Sequence, residues 1–221
     1  MRGNYRLIDK QPNTALNSDA QKAARRLANS LWEMFMCETD FASEYKEKIL
    51  DYELWIGKAE ELLEVAGFLE PEIKKMWEEM REGKFIKEHY ITTYFMLSSY
   101  ALENLLKALY IKTNYQKIKA ELKESCELPK SIKGHDLWEL AKELDVVQRE
   151  WGEETLLKKL SRSAVWFGRY PTPSKPKDLN RFHDSEYENR PIPFRSYMNT
   201  DLEEIRAIMS RIKSKLNQNI P

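Results

Sequence analysis

The most apolar stretch of the sequence runs from Tyr90 to Ile111, and it is broken at Glu103, Asn104 and Lys107. Within residues 86–112, Tyr94, Leu97, Ala101, Leu105, Ala108 and Leu109 recur at three- and four-residue intervals, so one face of a helix collects them. Charges in the middle of such a run argue against a bilayer span, because they would lie at the hydrocarbon centre. They argue for a central helix buried among others. No membrane partner is expected.

The flanking sequence offers helix patterns and no strand pattern, so the expected fold class is all-α. Ser18 and Asp19 can cap a helix to about Met36, with Leu27, Leu31, Met34 and Phe35 on one stripe. A second helix is read over 41–66 from Ile49, Tyr52, Ile56, Ala59, Leu62 and Leu63, with Gly67 ending it. Pro71 opens a short helix through about Arg81. Residues 115–124 and 135–145 read as shorter helices, separated by Pro129 and Gly134, and 153–167 as another. Between Gly168 and Thr200 stand Pro171, Pro173, Pro176, Pro191 and Pro193. This is a loop of about thirty residues, a length that goes with function or disorder. Thr200-Asp201-Leu202-Glu203 spells a capping box for a last helix ending near Leu216. The expected organisation is an arm and helix over 1–40, then a helical domain over 41–217 with a long loop at 169–199.

Thirty-six basic residues balance 36 acidic ones, so no net field draws the chain to nucleic acid or an anionic membrane. The distribution is uneven. Residues 31–88 carry eight basic and sixteen acidic side chains, and 155–195 carry nine and four. The second stretch is the natural place for an anion site, the alternative being a solvated loop. Cys37 and Cys126 lack metal or redox spacing, and the N-terminus lacks an apolar leader core, so a reducing, cytoplasmic setting is expected. His89, His135 and His183 form no HExxH-like pattern, and no glycine-rich phosphate loop or GxSxG occurs. No metal and no other cofactor is expected.

Two groups of residues can carry chemistry. Glu103 and Lys107 are spaced i,i+4 on the central helix, either as a surface ion pair or as the lining of a polar cleft. The stretch LSRSAVWFGRYP, residues 160–171, ends a helix in Arg169 and Tyr170, with Arg162 two turns earlier. Arginine forks bind phosphate and tyrosine stacks on bases, which suits a nucleotide or single-stranded RNA. The alternative is that Trp166 and Phe167 anchor a core and Arg169 ties down the loop. His135 stands beside Asp136 at a helix start and reads locally as a cap.

The segments SSYALENLLKA (98–108), GHDLWEL (134–140) and RYP (169–171), in that order, resemble the HEPN superfamily over roughly 41–217. The resemblance implies an antiparallel helical bundle, commonly a homodimer, in a toxin–antitoxin or phage-defence setting, with a nucleotidyltransferase-type protein as a possible partner. The ribonuclease branch uses arginine, four to six residues, then histidine. No arginine stands at 82–84, 128–130 or 176–178, ahead of His89, His135 or His183. Lys84 and Lys130 have the spacing, but lysine does not replace arginine in a bidentate role. The Arg-Tyr-Pro spelling is similar to the nucleotide-binding branch. By that resemblance Glu103, Lys107, His135, Arg169 and Tyr170 border a ligand cleft, with Arg162 nearby, and the expected activity is binding of a nucleotide or RNA without hydrolysis. Two alternatives stand beside it: a metal-independent ribonuclease using Arg162 or Arg169 with His183, and a pure protein-interaction module.

Overall fold

The computed structural model describes residues 21–29, 31, 40–84, 89–125, 127–148, 152–170, 172, 176, 182–184, 190–192 and 197–218. The expectations for Cys37, Cys126 and Pro171, and for the side chains of His89, Trp166, Phe167 and His183, lie outside them. The chain divides into two compact units, residues 1–46 and 47–221. In the first, α1 (residues 21–29) is helical and exposed along its length, Leu27 included.

The second unit is an all-α helical bundle built around α5 (His89–Thr113). Phe95, Leu102, Leu105, Leu106 and Tyr110 on this helix are fully buried, as its apolar periodicity requires. Before it come α2 (Asp40–Leu50), whose first residues belong to the first unit, α3 (Tyr52–Gly67) and α4 (Glu70–Arg81). After it come α6 (Tyr115–Glu124), α7 (Lys130–Lys133), α8 (Leu137–Glu143), α9 (Glu153–Arg162), a π-helical turn (Ser163–Phe167) and α10 (Asn199–Leu216). Helix α3 lies along α5, while α10, α9 and the π turn cover its other flanks and α8 packs on both α9 and α5. No helix among the described residues is long and apolar enough to cross a membrane.

Several boundaries differ from the sequence reading. The helix expected over 41–66 is interrupted at Asp51, which leaves helical geometry (φ −80°, ψ 88°) and accepts the Glu53 N–H at 3.1 Å. The apolar spacing runs straight through this break, so periodicity alone conceals it. Residues 135–145 contain α8 alone, opened by Asp136, whose carboxylate accepts the Glu139 N–H at 3.1 Å. The last helix starts at Asn199, one residue before Thr200, with Met198 as its N-cap. There Asp201 reaches back to accept the Met198 N–H at 2.9 Å, so the reciprocal carboxylate of the cap is Asp201 and not Glu203. Within the expected loop, β1 (Phe182–Asp184) pairs antiparallel with β2 (Arg190–Ile192), placing His183 opposite Pro191. This ribbon of two three-residue strands is the strand structure of the described residues and leaves the fold class all-α.

Candidate functional site

Along α5, Tyr100, Glu103, Asn104 and Lys107 fall at i, i+3, i+4 and i+7 and form one row on the helix surface. The row is not a solvent-facing ion pair. The Glu103 and Lys107 side chains are only 9% and 6% exposed, and the Lys107 ammonium donates to Glu103 Oε1 at 2.6 Å. On its other side the ammonium lies 5.9 Å from the centre of the Trp55 ring, whose own N–H is given to the Ile49 carbonyl at 3.1 Å. Lys107 is thus enclosed by a carboxylate and a ring face. Its charge serves Glu103.

Glu103 has a second partner. His135 Nδ1 lies 2.9 Å from Oε2 and 3.0 Å from Oε1, while the imidazole stays 54% exposed. The turn before α8 puts it there. Asp136 takes the capping role, and the next N–H, of Leu137, donates to Ser161 Oγ at 3.0 Å, whose hydroxyl donates to the Leu157 carbonyl at 2.8 Å. With α8 pinned to α9 in this way, His135 is the residue that meets the central helix. The local reading of His135 as a cap is therefore corrected: Asp136 caps, and His135 is held by Glu103. A carboxylate on Nδ1 fixes the tautomer of a neutral ring and leaves Nε2 as an acceptor.

At the other end of the row, the end of α9 widens. The Gly168 N–H bonds to the Ser163 carbonyl at 3.3 Å, an i+5 bond. A continued α-helix would give that N–H to Ala164. Instead the Ala164 carbonyl accepts from the Tyr100 hydroxyl at 2.7 Å and from Arg169 Nη2 at 3.0 Å, and Arg169 Nη2 also donates to Val165. The Arg169 guanidinium lies 6.0 Å from the Tyr100 ring centre and 5.6 Å from that of Tyr170, which is 57% exposed. Gly168 permits this close approach, since a Cβ there would sit 2.3 Å from Met96 Cβ. The π turn also breaks the two-turn relation expected between Arg162 and Arg169, because it adds residues to the turn.

Tyr100 joins the two halves. Burial pushes its hydroxyl pKa up; the Arg169 guanidinium pulls it back, and Glu103 and Tyr170 add to the rise. The structure therefore brings Glu103, Lys107 and His135 into direct contact, and sets Arg169 and Tyr170 beside Tyr100 one turn away. Arg162 lies half-buried at the end of α9, and the side chain of His183 lies outside the described residues. Sequence reasoning missed Tyr100, Trp55 and Ser161. Of these, Tyr100 carried a usable signal, because it stands three residues before Glu103 on the same face.

A cleft of about 390 Å³ lies elsewhere, lined by Leu63, Ala66, Tyr94, Ile205 and Met209 with Glu70 and Arg206. A notch of about 150 Å³ lies between α4 and α10. Neither takes in the α5 row or the Arg169 corner. Among the described residues no group of three or more His, Cys, Asp or Glu side chains is placed to hold a metal ion. Comparison with protein-family models, with curated proteins and with solved structures finds no match for the chain.

Proposed function

We propose that the chain is a HEPN-like domain that binds a nucleotide or RNA at the Arg169–Tyr170 corner and along the Tyr100–Glu103–His135 row, without hydrolysing it. The observation that carries the reading is the guanidinium of Arg169. It is exposed, lies against two tyrosine rings, and hydrogen-bonds among the described residues through Nη2 alone. Nε and Nη1 can take a phosphate, and the Tyr170 ring can take a base. Further support comes from the three resembling segments, which stand about 30 residues apart and supply side chains to one row. Lys107 enters as the residue that fixes Glu103, not as a phosphate ligand.

Calorimetric titration with ATP, GTP and short RNA tests it. Binding that weakens as salt rises is expected, because phosphate contacts release counterions. Arg169→Ala should abolish that heat while leaving the fold intact. No heat with any of the three leaves the chain a protein-interaction module.

One observation favours a second reading, a metal-independent ribonuclease. The Glu103 carboxylate orients His135 through Nδ1 and leaves Nε2 outward, as a general base requires. Cleavage of mixed RNA in EDTA, lost on His135→Ala, would select it over binding alone.

A further inference from the structure

Helices α3 and α10 both rest on α5 but do not pack closely on each other, and the cleft of about 390 Å³ lies in the gap between them. The last turn of α3 ends in Ala66 and Gly67, residues too small to fill it. The walls are apolar, with Leu63 from α3, Ile205 and Met209 from α10, and Tyr94 from α5. Such a volume falls in the lower part of the range of about 300–1,000 Å³ that small-molecule sites occupy.

The charges stand at the two ends. Arg206, Ser210 and Lys213 fall at i, i+4 and i+7 on α10, a row beside Ile205 and Met209. Seven residues at about 1.5 Å each put the two cations about 10 Å apart along the helix. Lys213 donates to Glu60 of α3 at 3.2 Å, in an exposed pair. Arg206 is placed more firmly. Its Nη2 donates to Glu70 Oε2, and Glu70 Oε1 accepts the hydroxyl of the buried Tyr94 at 3.0 Å. The Glu70 side chain, 19% exposed, is fixed between these two donors and fixes Arg206 in turn. Nε and Nη1 of Arg206 have no partner among the described residues. With the Glu70 carboxylate already engaged on both oxygens, this end of the cleft offers donors rather than acceptors. An anionic group satisfies them, a neutral one leaves them largely unused, and a cation is repelled.

We propose that the cleft is a binding site for a small apolar monocarboxylate, with its hydrocarbon body between α3 and α10 and its carboxylate on Arg206. The site shares no residue with the Arg169 corner, so it stands apart from the nucleotide reading. A saturated chain about 10 Å long spans the two turns of α10, and decanoate supplies one.

Calorimetric titration of the full chain with decanoate tests it, with decanol and decylamine as matched probes. Decanoate should bind at about 10–500 μM, decanol about tenfold more weakly, and decylamine without detectable heat. Arg206→Gln, with unchanged helix content by circular dichroism, should weaken decanoate about tenfold and leave decanol within about twofold, since only the charged contact is lost. Ser210→Trp places an indole at the mouth of the cleft and should weaken decanoate and decanol alike. Absence of heat with decanoate overturns the proposal. So does decylamine binding as tightly as decanoate, or decanoate binding that is indifferent to Arg206→Gln or to Ser210→Trp.

Discussion

On α5 the buried Glu103 carboxylate is matched by Lys107 and touched by His135, whereas between α9 and α10 three carboxylates, Glu153, Asp201 and Glu204, face two cations. There Lys159 lies 3.9 Å from Asp201 and Arg211 pairs with Glu153. Among the described residues of this cluster the acids, Glu204 included, outnumber the cations, and the acids respond. Burial, then the neighbouring Asp201 and Glu153, push Glu204 up to about 7 against the pull of Lys159 and Arg211. Burial also raises Asp201, opposed by Lys159 and by the Met198 N–H that it accepts. The two regions bury charge to different ends. The α5 row is balanced inside and reaches solvent through a half-exposed imidazole, so a ligand can meet it. The α9–α10 cluster fixes the start of α10.

The largest expected effect breaks the balance on α5. Lys107→Ala leaves Glu103 buried without its cation and should cost about 3–5 kcal/mol in urea denaturation. The double variant Glu103→Gln, Lys107→Met should cost less, because no charge is stranded. A loss under about 1 kcal/mol for Lys107→Ala would mean that Glu103 does not depend on it, and the contrast with the α9–α10 cluster would fail.

Gly168→Ala comes next. The added methyl collides with Met96 at 2.3 Å, so the end of α9 must shift off α5. About 1–3 kcal/mol of stability should be lost, and ligand binding at Arg169 should fall with it. Retained binding in a destabilised protein would show that the corner does not need its seat on α5.

The smallest effect belongs to Glu204 and carries a pH signature. Its folded-state pKa stands above the ordinary carboxylate value, so the folded chain holds this proton more tightly than the unfolded one. The carboxyl therefore costs nothing at low pH and costs stability progressively as pH rises from about 4.5 through about 7. Glu204→Gln should stabilise by about 1–2 kcal/mol at pH 8, solvent screening allowed for, with the gain vanishing near pH 4.5. A gain independent of pH would exclude the charge cluster as its origin.

Where end signals are strong and local, sequence and structure agree closely. Helix α6 occupies 115–124 as read, α3 stops at Gly67, and Pro71 opens α4. Where a polar side chain had two possible partners, the reading failed. Asp51 caps α3 in the middle of an unbroken apolar rhythm. Next to His135, Asp136 took the cap, and the imidazole went to Glu103, 32 residues away. The Arg162–Arg169 spacing assumed α-helical geometry, which the π turn does not keep.

What the chain determines alone is what repeats over three or four residues: the helices, the buried stripe of α5, and the placement of Glu103 one turn from Lys107. Only the tertiary structure decided that this pair would be buried, that His135 would complete it, and that the Tyr100 hydroxyl would find the Ala164 carbonyl 64 residues on. Helical periodicity is a property of neighbouring residues. The partner of a buried polar group is set by distances between segments, and those exist only once the helices have packed.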